Sequence, residues 1–157
     1  MPQCSLPGME RKPRPVVDLT ARCACGSVSI RFAGKVLSMF MCSCEDCQRS
    51  TGAGHSAIVL ARPSDVTVTG ATRSFARPAN SGATLTRHFC PQCGTPFHAQ
   101  SSRAPEVLML PVGLFGAAAA EWYVPNQLIF ARSHRDWDLI DPSLPQHQTY
   151  RDGGAMM

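Results

Sequence analysis

The stretch Met41-Cys42-Ser43-Cys44-Glu45-Asp46-Cys47-Gln48 places three cysteines within six positions. That density exceeds ordinary core packing and suits one metal ion held by three thiolates from a single tight turn. Three protein ligands leave a fourth coordination position open, and an open position marks a catalytic zinc site rather than a structural one. Two other arrangements remain for these residues. The three cysteines could complete a structural cluster, or they could recruit a fourth side chain, with His55, His88 and His98 as the available imidazoles. The turn itself reads as the start of a helix. The acids Glu45 and Asp46 come first and Arg49 follows, the order that a helix dipole favours.

Four more cysteines form two further pairs, Cys23-x-Cys25-Gly26 and Cys90-x-x-Cys93-Gly94. Each reads as a knuckle, in which two thiolates face one ion and backbone N–H groups point at the sulfurs. Such a turn needs a residue at positive φ just after the second cysteine, where glycine costs least, and both pairs carry glycine there. Four thiolates make a closed tetrahedral site of the structural type. Because the knuckles lie far apart in sequence, one zinc would join an early strand to a late hairpin. The competing reading is disulfides or buried free thiols. It is the weaker one, because a Cys-x-Cys pair rarely bridges within itself and free thiols persist in a reducing compartment. Cys4 stands apart from the rest and reads as a free surface thiol.

The elements that must hold these turns are short strands. Residues 27–32 alternate, with Val28, Ile30 and Phe32 on one face. Residues 36–41 form a second strand that delivers the three-cysteine turn, and residues 55–60 form a third. Residues 65–70 alternate cleanly, and residues 72–76 are expected to pair with them as a hairpin. Residues 84–89 run straight into Cys90, residues 96–100 continue beyond Cys93, and residues 106–110 read as a buried strand. A short helical turn is expected over 117–121 and a last strand over 127–131. Many short strands with Gly and Pro turns, and no long helical period, predict an all-β fold. Residues 1–16, with four prolines and three basic residues, read as a flexible leader. Residues 17–141 form one zinc-binding domain, and residues 142–157 are a polar tail expected to dangle or to wrap the surface.

Composition bounds the function classes. A chain of 157 residues with 44% hydrophobic and 17% charged residues is long enough for one globular core and too apolar to be disordered. The net charge of +4 suits a small anionic ligand, while the lack of a basic stripe with interleaved aromatics argues against nucleic acid. The start of the chain has no apolar signal region, and the apolar run over 107–120 is broken by Pro111, Gly113 and Gly116, so no membrane span is expected. Eight cysteines without an export signal point to the cytoplasm, where thiols stay free or bind metal.

Taken in order, these motifs resemble those of the glutathione-dependent formaldehyde-activating enzymes, a family that also contains centromere protein V. The residues that carry the resemblance are Cys23, Cys25 and Gly26; then Cys42, Cys44 and Cys47; then Phe89, Cys90, Cys93, Gly94 and Thr95, with Pro125, Ile129 and Trp137 behind them. The resemblance implies a β-tent fold with two zincs, structural on the outer four cysteines and catalytic on the middle three. It implies addition of a thiol, typically glutathione, to formaldehyde, which run backward is a carbon–sulfur lyase reaction. One position departs from the family. Members often carry histidine between the first two middle cysteines, and this chain has Ser43, a hydroxyl in place of an imidazole able to carry a proton.

An enzyme acting on a thiol such as glutathione and an aldehyde is therefore the leading expectation. A non-catalytic zinc module that binds a protein or nucleic acid through the basic leader is the alternative, and a redox sensor built on the middle cysteines is a third reading. Arg49, Arg73, Arg77 and Arg87 are candidate partners for a substrate carboxylate, with none singled out, and nothing in the sequence bears on oligomeric state.

Overall fold

The structure is a computed structural model and describes residues 14–151. The architecture is mainly β, as expected. A three-stranded antiparallel sheet contains β1 (Val16–Arg22), β2 (Ser29–Lys35) and β5 (Val66–Thr69), in the order β1-β2-β5. A seven-stranded sheet contains β3 (Ser38–Cys42), β4 (Ser56–Ala61), β6 (Arg73–Pro78), β7 (Thr84–Phe89), β8 (Pro96–Ser101), β9 (Leu108–Pro111) and β10 (Leu128–Ile129), in the order β10-β3-β4-β9-β8-β7-β6. All pairings in it are antiparallel except β10 with β3. Two short helices interrupt the strands, α1 (Glu45–Thr51) and α2 (Ala117–Ala120). Among the described residues no helix is long and apolar enough to cross a membrane.

Strand alternation divides the core in two. Val59 and Ala61 of β4, with Leu108 and Leu110 of β9, face one apolar cluster that also takes Ile30 and Phe32 from β2. Ile58 and Leu60, one residue out of phase, face a second cluster that contains Phe40, Ile129, Phe130 and all three middle cysteines. Side chains of successive strand residues point to opposite faces, so a strand covered on both sides must be apolar without interruption. The run Ile58-Val59-Leu60-Ala61 meets that requirement, with all four residues buried.

The strands over 84–89 and 96–101 and the turn at 117–120 lie close to where the sequence places them. The hairpin expected between residues 65–70 and 72–76 does not form. Instead β5 pairs with β2, with Val66 opposite Phe32 and Val68 opposite Ile30, while β6 pairs with β7 in the other sheet. The physical reason lies at Gly70. Its φ of 109° is open to few other residues, and a Cβ there would sit 2.6 Å from the Ser27 carbonyl oxygen. The chain packs against the β2 side and leaves for the second sheet, so Val66 and Val68 are buried by β2 rather than by their neighbour in sequence.

Strand β1 is absent from the strands read in the sequence. Its inward residues, Val17, Leu19 and Ala21, pack on the first cluster. The last strand is shorter than expected, Leu128–Ile129 only, because Phe130 turns the chain with a φ of 57°. As far as Arg151, the last described residue, the polar tail wraps rather than dangles. Leu128 N–H donates to the Pro145 carbonyl at 2.8 Å and His147 N–H donates back to the Leu128 carbonyl at 2.9 Å. Tyr150 then packs edge-on against Phe130, with ring centroids 4.8 Å apart. Cys4 lies outside the described residues.

Candidate metal centres

The seven described cysteines gather into the two groups the spacing predicts, and none is in a disulfide. Cys23 and Cys25 sit in the turn before β2, and Cys90 and Cys93 in the turn between β7 and β8. Their four sulfurs lie within 4.8 Å of one another, with Cys25 Sγ 3.5 Å from Cys23 Sγ and 3.7 Å from Cys90 Sγ. A tetrahedral zinc with bonds of about 2.3 Å needs sulfurs about 3.8 Å apart, so the donor set fits the ion.

Both knuckles take the geometry that their glycines foretell, with φ of 79° at Gly26 and 76° at Gly94. Val28 N–H points at the Cys23 sulfur at 3.3 Å. Ala24 N–H donates to Thr95 Oγ1 at 3.2 Å, tying one knuckle to the other. Thr95 also holds the Cys93 thiol down to about 5, first through its hydroxyl and then through its backbone N–H. This group therefore bridges the two sheets. A metal there would replace contacts that the protein would otherwise need from a larger core.

The middle group is assembled from a strand end and a helix start. Cys42 closes β3, Cys44 is the N-cap of α1, and Cys47 lies one turn into the helix. Their sulfurs also lie within 4.8 Å of one another, and no fourth Cys, His, Asp or Glu joins the group among the described residues. None of the three imidazoles closes it. His55 is hydrogen-bonded to Asp138 at 2.7 Å, and His88 and His98 stack on each other at 4.4 Å.

All three cysteines are buried. Crowding makes them share protons unequally. Hydrogen bonds from Cys42 and then Cys47 hold the Cys44 thiol down to about 2, with backbone N–H groups adding to the effect. Hydrogen bonding to Cys44 is also the main cause that pushes Cys42 far up. The Cys47 thiol feels a lowering hydrogen bond from Cys42. Hydrogen bonding to Cys44, burial and the Cys44 charge outweigh it and push Cys47 up to about 12, against an opposing pull from the Arg87 guanidinium. Three thiols this close favour the thiolate form together only when a cation balances them, which is the condition a bound metal meets. Ser43, between the first two, is fully buried, and its hydroxyl has no hydrogen-bond partner among the described residues.

Residues that the sequence left unassigned hold this turn in place. The Gln48 amide donates to the Ser43 carbonyl at 2.8 Å and to the Ser133 carbonyl at 2.9 Å, and its oxygen accepts from Arg135 Nε at 3.2 Å. Arg77 of β6 reaches Asp46 of α1 at 2.8 Å. Thr51, at the other end of the helix, donates to the Cys47 carbonyl at 2.8 Å. The contacts of Gln48 with Ser133 and Arg135, and of Arg77 with Asp46, join segments more than 25 residues apart, so no local pattern announces them.

The family model for the glutathione-dependent formaldehyde-activating enzyme matches residues 18–133. The chain belongs to that family. All seven described cysteines lie inside the matched span, and so do Gln48, Arg77 and Arg87. No curated protein matches the chain by sequence. Among solved structures it is similar to a crystal structure of a Rhodobacter sphaeroides protein, a structural-genomics target, at 27% identity and a TM-score of 0.49, covering 63% of this chain and 89% of that one.

Proposed function

We propose that this protein is a zinc-dependent carbon–sulfur lyase that joins a thiol to an aldehyde, or cleaves the product. The overall reaction forms a bond between the thiol sulfur and the carbonyl carbon. The thiol proton ends on the former carbonyl oxygen, giving an S-hydroxymethyl thiol when the aldehyde is formaldehyde. Membership of the formaldehyde-activating family supports the thiol and aldehyde pair. The observation that carries the reading is the contrast between the two cysteine groups, four sulfurs in one and three in the other, with no fourth donor at hand among the described residues.

On this reading Cys23, Cys25, Cys90 and Cys93 hold a structural zinc, and Cys42, Cys44 and Cys47 hold the catalytic one. When bound, zinc at the middle group would act as a Lewis acid and lower the pKa of a thiol offered at its free position. The chain supplies the rest. Burial of the three cysteines keeps bulk water from the reacting groups. The Cys47 N–H, 3.4 Å from Cys44 Sγ, favours negative charge on that sulfur, and so do the positive first-turn peptides of α1. Gln48 fixes the backbone between the ligands, so the three sulfurs stay convergent. The free thiols and family membership suit a reducing, cytoplasmic setting.

The test is Cys44→Ser, assayed for consumption of glutathione and formaldehyde, with circular dichroism as the check on folding. Turnover should fall by orders of magnitude in a folded protein that retains one zinc where the wild type holds two. A folded variant with full activity, or a wild type holding one zinc per chain, would overturn the proposal.

A further inference from the structure

Cross-strand register places one arginine in an unusual position. In antiparallel sheets, directly opposed residues share a face. Arg87 of β7 stands opposite Phe75 of β6 on one side and Ala99 of β8 on the other. Ala99 stands opposite Met109 of β9, and Met109 packs on the apolar cluster that holds the three middle cysteines. The row therefore lies on the cysteine side of the large sheet. The ion pair between Arg77 and Asp46 closes the same face against α1, two residues along β6 from Phe75. Arg87 is half-buried and close enough for its charge to reach the Cys47 thiol.

The four arginines named from the sequence now separate. Arg49 is spent on Glu45 and Asp46 at the surface, and Arg77 on Asp46. Arg73 is exposed at the sheet edge. Arg87 has no ion-pair partner and no hydrogen bond to another side chain among the described residues. A guanidinium withdrawn in part from water carries a desolvation cost that an anionic partner offsets. Beside it Phe75 exposes 62% of its surface among the described residues, an apolar flank.

We infer that Arg87 is the specificity residue that receives a carboxylate of the thiol substrate, with the chain of the substrate lying across Phe75. The inference rests on the thiol reading given above and adds to it the residue that selects a thiol with an anionic tail over a neutral one. The guanidinium offers two parallel N–H donors matched to a carboxylate. A thiol held by its tail at Arg87 would present its sulfur toward the cysteine group, because both lie on one face. Neutral thiols would gain nothing from this contact.

The experiment compares glutathione with its diethyl ester, in which both carboxylates are masked, by isothermal titration calorimetry on metal-replete protein. Wild type should bind glutathione at least about tenfold more tightly than the ester, the scale of one charge-assisted hydrogen-bonded pair. Arg87→Gln should lose most of that preference while its ester affinity and zinc content stay as in the wild type. Arg87→Lys should keep part of it. A preference that persists in Arg87→Gln overturns the assignment and leaves the thiol reading standing. An equal loss for both ligands, or a wild type with no preference, also overturns it, and an equal loss would show that Arg87 acts on the thiolates instead. A wild type that binds neither ligand overturns the thiol reading and this assignment together.

Discussion

Gln48 offers a quantitative test of how the three-cysteine turn is held. Its side chain touches both the turn and the segment after β10, through the Ser43 and Ser133 carbonyls. Gln48→Ala removes both donors at once. Ser43 is fully buried, so its carbonyl would lose its partner without access to water, at a cost of about 1–3 kcal/mol. Ser133 is only half-buried, and water can replace part of what it loses, so its share is about 0.5–1.5 kcal/mol. Arg135 is 47% exposed in its side chain and still has Glu45 at 3.7 Å, so the third contact adds little. The sum is about 2–4 kcal/mol, or a fall in melting temperature of roughly 5 to 15 °C for a domain of this size. Gln48→Glu keeps the acceptor for Arg135 but turns a donor into a carboxylate facing two carbonyl oxygens, and it should be at least as damaging. Urea unfolding and thermal melts measure the loss. On zinc-loaded protein, timed release of metal to a chelator should show the variant losing an ion held by the middle group faster, with the four-cysteine group unaffected. A Gln48→Ala protein that melts within about 2 °C of wild type and releases metal at the wild-type rate would refute the reasoning.

Three further outcomes follow from the geometry. Gly94→Ala should cost about 1 kcal/mol of stability, because φ is 76° there while a Cβ would meet nothing within 4 Å, so urea unfolding reads backbone strain alone. Gly54→Ala should cost about 1–3 kcal/mol, because its Cβ would collide with the Asp138 side chain, and the melt should be accompanied by loss of the hydrogen bond between Asp138 and His55, seen as a shift of the His55 ring signals in NMR. His98 is held down to about 4, by burial first and by the neighbouring His88 second. Its folded pKa lies below its unfolded value, so the unfolded chain binds the extra proton. Stability is then fully present above about pH 6.5 and falls as pH drops toward 4. After allowance for partial solvent screening the loss is about 1–2 kcal/mol. Comparing urea midpoints of wild type and His98→Asn between pH 4 and 7 isolates this contribution from acid release of thiolate-bound metal, and parallel pH profiles would count against it.

Much of the candidate site was legible because its chemistry is local. A tight turn places its own ligands, so Cys42, Cys44 and Cys47 could be read as one group from their spacing. The glycines after Cys25 and Cys93 announced positive φ before any coordinates did, and both have it. The strand over Ser29–Lys35 was legible for a related reason, since the alternation of Val28, Ile30 and Phe32 with polar residues is a property of consecutive residues. Local pattern also has limits. The alternation of residues 65–70 showed a strand with one buried face, but not what buries it, and proximity in sequence suggested the wrong partner.

What the amino-acid sequence determined by itself was the donor inventory, the two groupings of cysteines and the preference for short strands, because each depends on neighbours a few bonds away. Only the tertiary structure decided that β5 joins β2 while β6 crosses to the other sheet, that no histidine completes the middle group, and that Gln48 and Arg77 brace it. It also decided which arginine stands beside the cysteines without an ion-pair partner among the described residues. Those facts depend on strand order and register, which are set by how apolar faces bury one another across the whole chain.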